Sequence, residues 1–146
     1  MRELDLSIRP ATDKDADILY TMICGLENKV MDRMNFDFVF LRNIRNDAIR
    51  YYIAEYGQQP VGMGSCHIQA LLHHAALVGE IQEMYVEEAF RSKAIGKMLM
   101  GYLVDFAKSK GAIQLEVTSR NYRESAHRFY QREGFEKSHV KLVRYF

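Results

Sequence analysis

Apolar residues recur along this chain at two spacings, every second residue or every third to fourth, and each spacing predicts a different element. Alternation over residues 4–9 predicts a short strand. Pro10 ends that strand, and the segment up to Asp13 provides an N-cap for a helix. The apolar side chains of this helix recur at helical spacing and are Ile18, Leu19, Met22, Ile23 and Leu26. The chain therefore opens with a strand and a helix.

The middle of the chain reads as a helix followed by three strands. An aromatic-rich stretch predicts the second helix, and a β-branched and aromatic run before a Gly-Gln-Gln-Pro turn predicts a hairpin. A third run of strand-forming residues follows a short linker that contains two histidines. The predicted elements are a helix at 36–46, strands at 49–56, 61–72 and 78–86, a turn at 57–60 and a linker at 73–76.

The second half contains the clearest helix, which begins at Gly96 and stops before Gly111. Its apolar side chains form one stripe: Met98, Leu99, Tyr102, Leu103, Phe106 and Ala107. The remaining predictions are a strand at 113–118, a helix at 124–133 that ends at Gly134, and a last strand at 135–146. The order β-α-α-β-β-β-α-β-α-β indicates an α/β protein, with a central mixed β-sheet flanked by helices.

Length, charge and composition indicate the number of domains, the partners that are excluded and the cellular compartment. A length of 146 residues fits one domain over residues 1–146. The formal net charge of +1 provides no global attraction to nucleic acid or to an anionic membrane. The longest stretch without a charged residue, 56–79, contains Pro60 and four glycines, so we expect no membrane span. Two cysteines without a metal-binding spacing, and no signal sequence at the N-terminus, predict a cytoplasmic protein with reduced thiols.

Cations crowd the start of the long helix, where acidic residues are usual. Arg91, Lys93 and Lys97 surround this helix start, although its free N–H groups already present positive potential. The small residues Ala94 and Gly96 would let a phosphate approach the backbone. The pattern therefore favours an anion site, and a solvated basic loop is the alternative.

The stretch Arg91-Ser-Lys-Ala-Ile-Gly96 resembles the Arg/Gln-x-x-Gly-x-Gly/Ala signature of the GNAT acyltransferase superfamily, which binds acetyl-CoA. Ala94 departs from the first glycine of that signature, which tightens the approach to the phosphate or requires a different turn. The resemblance implies the GNAT fold, acetyl-CoA as cosubstrate and a set of cofactor-binding residues. These are Met84, Tyr85, Val86, Arg91, Ser92, Lys93, Ala94, Ile95, Gly96, Lys97 and Asn121.

Two aromatic residues in the last predicted helix carry a second part of the resemblance. Residues 125–135 resemble the GNAT pattern A-x-x-F-Y-x-x-x-G-F, in which the tyrosine protonates the departing thiolate. Tyr130 matches that tyrosine, and a phenol stays protonated at neutral pH. Packing against the sheet is the alternative for both rings, and it is the role that we assign to Phe129.

Acetylation of an amine also requires a general base, and two glutamates of the strand 78–86 are candidates. Glu80 and Glu83 are an odd number of residues apart, so a regular strand would point them to opposite faces. Glu80 lies fourteen residues before Ala94, which resembles the offset of the base in some GNAT members, and it is ranked first. Glu83 would shape the acceptor pocket, or reach it if a bulge interrupts the strand.

Further segments resemble one GNAT group, the bacterial aminoalkylphosphonate N-acetyltransferases. They are Arg9-Pro-Ala-Thr12, Met22-Ile-Cys24, Arg50-Tyr51, Val61-Gly-Met63, His73-His74, Gly79-Glu-Ile-Gln-Glu83, Ala126-His-Arg-Phe-Tyr130 and Arg132-Glu-Gly134. This resemblance implies acetylation of a small aminoalkylphosphonate and an association with a divalent metal ion. Residues 28–46 match this group least. This difference affects the prediction of the acceptor more than the prediction of the reaction.

Residue types in the sequence can be compared with both implications, the phosphonate acceptor and the divalent metal ion. A phosphonate needs cationic partners, and the segment expected to cover the acceptor contains Arg33, Arg42, Arg45 and Arg50, which would otherwise be surface arginines. Three histidines, His67, His73 and His74, invite a metal site. Adjacent histidines on a strand point to opposite faces, however, so no residue is assigned as a metal ligand.

The sequence thus predicts an enzyme that transfers acetyl from acetyl-CoA to the primary amine of a small molecule, most closely an aminoalkylphosphonate, by direct attack in a ternary complex. Other acceptors, namely a polyamine, an aminoglycoside or a protein N-terminus, stay open. So does a non-catalytic acyl-CoA-binding regulatory module. The apolar end of the last predicted strand leaves a homodimer open as well.

Overall fold

The computed structural model describes residues 5–146 and contains five strands and four α-helices within them. The strands are β1 (Leu6–Pro10), β2 (Ile49–Tyr56), β3 (Gln59–Leu71), β4 (Ala76–Val86) and β5 (Leu115–Val117). The helices are α1 (Ala16–Glu27), α2 (Arg33–Ile44), α3 (Ile95–Ser109) and α4 (Glu124–Arg132). Most boundaries agree with the sequence to within three residues, and the strand at 49–56 agrees at both ends.

The five strands form one mixed sheet in the order β1-β2-β3-β4-β5. β1 to β4 pair with one another in antiparallel fashion. Short connections join β2 to β3 and β3 to β4, whereas α1 and α2 lie between β1 and β2. β5 is parallel to β4, because α3 returns the chain to the other end of the sheet. The mixed sheet with flanking helices confirms the predicted fold class.

Each face of the sheet buries a separate apolar cluster. The face covered by α3 and α4 buries Tyr52, Ala54, Val61, Cys66, Ile81, Ile95, Leu99, Met100, Leu103, Phe106, Ala107 and Tyr130. The face covered by α1 and α2 buries Leu19, Met22, Phe40, Tyr51, Ile53 and Met63. Alternate residues of β2 enter opposite clusters, as the period of a strand requires.

A capping box fixes the entry into α1. The Thr12 side chain accepts a hydrogen bond from the Lys14 N–H, and the Asp15 carboxylate accepts one from the Thr12 N–H. Arg9 donates to both Asp15 carboxylate oxygens at 2.8 Å, and this pairing lowers the pKa of Asp15. The corner between β1 and α1 is therefore held by a charged network.

The predicted last strand is wrong, because residues 135–146 adopt no regular secondary structure. Phe135 packs against Tyr130 with ring centroids 5.7 Å apart, and the residues after it pair with no strand of the sheet. Strand propensity alone does not form a strand without a neighbour that pairs with it. β5 is also shorter than the predicted strand at 113–118. Residue 4, where the first strand was predicted to begin, lies outside the described residues.

No helix within the described part of the chain is long and apolar enough to cross a membrane.

Candidate active site

The sheet opens between β4 and β5. Their pairing ends at Ile81 and Val117, while β4 continues to Val86 with β3 alone as its partner. Beside this unpaired length of β4 lies a cleft of about 150 Å³. Its lining comes from α1, β4 and the loops that precede α3 and α4: Gly25, Leu26, Met84, Tyr85, Val86, Arg91 and Arg123. The free edge of β4 can therefore offer backbone hydrogen bonds to a ligand in the cleft.

Gly25 allows α1 to approach β4 closely. A Cβ atom at this position would lie 2.7 Å from the Tyr85 hydroxyl oxygen. A larger residue would therefore displace Tyr85, whose hydroxyl donates to Glu87 at 3.4 Å. The absence of a side chain at Gly25 thus lets α1 pack closely against Tyr85 where both line the cleft.

The loop before α3 has the geometry of an anion cradle. Ser92 and Ala94 both have φ of +64°, so the chain turns sharply into the helix. The first helical bond runs from the Met98 N–H to the Ala94 oxygen, which leaves the three preceding N–H groups without helical acceptors. Lys93 and Lys97 are exposed around them, and these features fit the pyrophosphate of acetyl-CoA. Ala94 thus adopts the left-handed conformation that glycine favours, and alanine occupies this position of the signature with backbone strain.

Arg91 links this loop to the open edge of β4. Its Nε donates to the Val86 backbone oxygen at 2.9 Å, and its guanidinium lies over the Tyr85 ring at 5.7 Å. The predicted cofactor residues of β4 and of the loop therefore meet at one end of the cleft. Asn121 lies in the exposed turn after β5, on another side of the opening.

A bulge in β4 brings the two candidate bases to the same face. Gly64 pairs with Met84 and Cys66 pairs with Ile81, so Gln82 and Glu83 together oppose Ser65. Both side chains now lie on the face of α1 and α2, because Glu83 contacts Ser65, and Glu80 pairs with His67 two residues further along β3. The strand is therefore not regular here, and the alternative that a bulge interrupts it is the one the structure shows.

Glu83 has the closer hydrogen bonds of the two carboxylates. The Ser65 hydroxyl donates to its Oε1, and the Glu83 N–H donates to the Ser65 oxygen at 3.0 Å. Burial raises the pKa of Glu83, and the Ser65 hydrogen bond only partly opposes this rise. Glu80 accepts a longer hydrogen bond, 3.4 Å, from the exposed Thr118 hydroxyl. Sequence reasoning missed Ser65, whose one signal is a polar residue between glycine and cysteine in an apolar strand.

Tyr130 lies in the apolar cluster beside α3. Its ring packs edge-on against Phe129 at 5.4 Å and against Phe135 at 5.7 Å. Burial raises the pKa of Tyr130, and the cation of Arg123, which lines the cleft, opposes that rise. The phenol is therefore protonated at neutral pH. Phe129 packs against Gly96 at the start of α3, in agreement with its assigned structural role.

The structure does not gather the arginines of the segment 33–50 at the cleft. Arg33 forms ion pairs with Asp17 at 2.6 Å and with Asp37 at 2.8 Å. Arg50 lies over the Phe106 ring at 4.8 Å, on the opposite face of the sheet from Glu83. Arg120 and Arg123, which the sequence did not single out, are the arginines of the loop after β5 that borders the cleft.

Histidines and acidic residues form no metal site in the described chain: nowhere in residues 5–146 could three His, Cys, Asp or Glu side chains hold an ion together. The His73 and His74 rings lie 4.3 Å apart in a turn, and His74 approaches Glu116 at 4.0 Å. These residues do not fit the divalent ion that the closer resemblance implied.

The open edge of β4 and the basic loop at the start of α3 together can hold an extended ligand that carries phosphate groups. The model of the Acetyltransferase (GNAT) family matches residues 17–135. The chain belongs to this family and is an acetyltransferase whose fold binds acetyl-CoA.

One relative and two solved structures refine this placement. The chain is 36% identical to an aminoalkylphosphonate N-acetyltransferase of Salmonella typhimurium, over 94% of this chain and 89% of the relative. A crystal structure described as a transcriptional regulator from Bacillus halodurans has a TM-score of 0.87 at 23% identity and covers 97% of this chain and 99% of its own. The structure of AAC(6')-Iy with the bisubstrate analog CoA-S-monomethyl-acetylneamine has a TM-score of 0.87 at 16% identity, covering 97% and 98%. These two structures bear on the fold alone.

Proposed function

We propose that this enzyme acetylates the primary amine of a small aminoalkylphosphonate, by direct attack on acetyl-CoA in a ternary complex. The similarity of nearly the whole chain to an aminoalkylphosphonate N-acetyltransferase is the observation that carries this proposal. The whole of residues 1–146 then forms one acetyltransferase domain. Its two free thiols, Cys24 and Cys66, agree with the reducing cytoplasm.

Acetyl-CoA binds along the open edge of β4 in this proposal. Residues 84–86 offer backbone groups to the pantetheine, and residues 91–97 hold the pyrophosphate through N–H groups and lysine side chains. Asn121 contacts the cofactor from the turn after β5. The sheet opening then places the thioester next to the face that carries Glu83. Orientation of amine and thioester contributes roughly 7–11 kcal/mol to lowering the barrier.

Two side chains move the protons. Glu83, directly or through water, takes a proton from the ammonium group of the acceptor, because burial makes this carboxylate more basic than usual. The amine nitrogen then attacks the thioester carbon, the C–N bond forms and the C–S bond breaks. Tyr130 gives its hydroxyl proton to the leaving thiolate, which yields CoA thiol. The nitrogen loses its second proton to water, which leaves the neutral acetamide, and solvent returns a proton to Tyr130. Glu80 is the second candidate for the base and lies on the same face.

The acceptor is tested by CoA-thiol release with aminomethylphosphonate, 2-aminoethylphosphonate, spermidine and an aminoglycoside, each with and without a divalent ion. Turnover confined to the two phosphonates supports the proposal. Turnover with spermidine or the aminoglycoside alone contradicts the phosphonate assignment and leaves the transferase chemistry in place. A divalent ion that raises the rate would act through the bound reactants, since the described side chains form no metal site.

We also propose that the protein is a homodimer. The C-terminal segment (residues 136–146) leaves the sheet with apolar side chains exposed, among them Val140 at 85%, Leu142 at 91% and Tyr145 at 89%. The outer edge of β5 has no strand partner within residues 5–146. The segment of one copy fits this edge of a second copy, because an open edge accepts any strand with free backbone groups.

A further inference from the structure

Arg120, in the loop between β5 and α4, directs its charge across the cleft. Its Nη2 donates to Glu27 Oε2 at 3.0 Å, at the end of α1. Its Nη1 donates to the Tyr122 hydroxyl at 3.1 Å. Its backbone oxygen accepts a hydrogen bond at 2.9 Å from Nε2 of His127 in α4. Neighbouring residues thus hold Arg120 in place while its guanidinium reaches another element.

The Arg120–Glu27 ion pair joins two walls of the cleft. Gly25 and Leu26, which line one wall, directly precede Glu27, and Arg123 lines the other wall three residues after Arg120. The Glu27 carboxylate is also close enough to Glu83 to contribute to the raised pKa of that residue. The pair therefore lies near the candidate base, where an acceptor amine must be deprotonated.

This ion pair is easily replaced. The Arg120 side chain is 61% exposed and the Glu27 side chain 34%, and ion pairs with such exposure stabilise a fold very little. A phosphonate dianion carries more charge than a carboxylate and can accept two parallel hydrogen bonds from a guanidinium. An anionic ligand in the cleft would therefore compete with Glu27 for Arg120.

We propose that Arg120 binds the anionic end of the acceptor, and that Glu27 occupies this position in the free protein. The inference rests on the proposed function, since it requires an acceptor with an amine at one end and a phosphonate at the other. Binding exchanges the Glu27 carboxylate for the phosphonate on Arg120. The amine end of the same molecule then lies on the side of Glu83. Arg120 thereby determines specificity and takes no part in proton transfer.

Steady-state kinetics with two acceptors test this assignment. The acceptors are 2-aminoethylphosphonate and n-propylamine, which has a similar reach and no anionic group. We expect Arg120→Ala to raise the KM for the phosphonate about tenfold to a hundredfold, as for loss of a charged hydrogen bond. The KM for acetyl-CoA and the turnover of n-propylamine should stay unchanged. Arg120→Lys should give an intermediate KM, because lysine keeps the charge without the fork.

Two further variants distinguish binding of the phosphonate by Arg120 from a general effect of removing a positive charge. Lys108→Ala removes an exposed cation of α3 that does not line the cleft, and should leave every constant unchanged. Glu27→Gln removes the competing carboxylate and should lower the KM for the phosphonate. Ethylphosphonate, which has no amine, should inhibit the wild type competitively and the Arg120→Ala variant far less.

The outcomes distinguish this inference from the proposed function. A wild type that acetylates phosphonates while Arg120→Ala keeps its KM within twofold overturns the Arg120 site alone. An equal loss with n-propylamine also overturns it, because the residue would then serve the fold. A wild type that acetylates other amines and no phosphonate overturns both proposals.

Discussion

Tyr130 combines a tightly packed ring with a hydroxyl group that stays protonated at neutral pH. Phe129 and Phe135 hold the ring, so Tyr130→Phe removes one oxygen atom and keeps the packing. We expect kcat to fall about 10²–10⁴-fold, the usual contribution of a general acid. The affinity for acetyl-CoA, measured by equilibrium binding, should stay within twofold.

Tyr102 is the matched control for this variant. Its ring packs against Tyr52 at 5.5 Å on the surface of α3, and its side chain is 41% exposed. Tyr102→Phe should leave kcat unchanged. A Tyr130→Phe enzyme that keeps more than a third of the wild-type kcat would contradict the assigned role.

The pKa of Glu83 determines how kcat/KM is expected to depend on pH. Because burial raises its pKa, the carboxylate binds a proton at a higher pH than an ordinary glutamate. The rate constant kcat/KM should therefore fall as the pH is lowered through this raised pKa. Ser65→Ala removes the hydrogen bond that favours the charged form, so the acid limb should move to higher pH. Glu83→Gln should remove the limb, measured as kcat/KM against pH.

Glu80→Gln is the control for the pH profile. Glu80 accepts a hydrogen bond from the exposed Thr118 and not from Ser65. Its replacement should leave the acid limb in place. A limb that disappears in Glu80→Gln and persists in Glu83→Gln would assign the base to Glu80.

The relation between these two glutamates could not be derived from spacing. A count along the strand places Glu80 and Glu83 on opposite faces, and one extra residue at the bulge reverses that result. The roles of Arg120 and Glu27 depend on contacts between residues far apart in the chain, which no local pattern reports. Tyr130 and the loop at Arg91, by contrast, lie in short motifs and could be predicted.

At the scale of elements, the turn into α3 carries measurable strain. Ala94 has φ of +64°, where a Cβ atom is unfavourable and glycine is not. We expect Ala94→Gly to raise the free energy of unfolding by about 0.5–1 kcal/mol, after the entropy cost of glycine. Urea unfolding of the full chain measures this change. The KM for acetyl-CoA should stay within twofold.

Ala126, inside α4, is the control position for the Ala94→Gly prediction. Ala126→Gly places glycine in a right-handed helical position and should lower the free energy of unfolding by about 1 kcal/mol. Equal destabilisation by Ala94→Gly and Ala126→Gly would contradict the strain assigned to the turn.

The elements that sequence predicted well are those with strong local signals. The strand at 49–56 has β-branched and aromatic residues before a turn, and α3 has an uninterrupted apolar stripe. Residues 135–146 have similar strand propensity and form no strand, because pairing depends on a neighbour and not on the segment itself. β5 is likewise limited to the three residues that pair with β4.

At the scale of the whole molecule, the end of β4 and the outer edge of β5 are both unpaired in the described sheet, and they have different uses. The end of β4 borders the cleft and the basic loop, so a ligand fits there. The outer edge of β5 lies beyond it, and the apolar C-terminal segment does not pair with this edge within its own chain. Apolar side chains lie on both faces of this segment, with Lys141 on one face and Arg144 on the other, so each face can bury apolar surface against a partner. A second copy provides that partner.

Sedimentation equilibrium of the full chain tests the dimer. Lys141 and Arg144 are an odd number of residues apart, so in a strand their N–H groups point to opposite edges. If the pairing with β5 includes both positions, one of the variants Lys141→Pro and Arg144→Pro loses a hydrogen bond to β5 and should weaken the dimer. Lys141→Ala and Arg144→Ala keep both N–H groups and should remain dimers. A monomeric wild type would contradict the proposal, and dimers of both proline variants as stable as the wild-type dimer would place the interface on another surface.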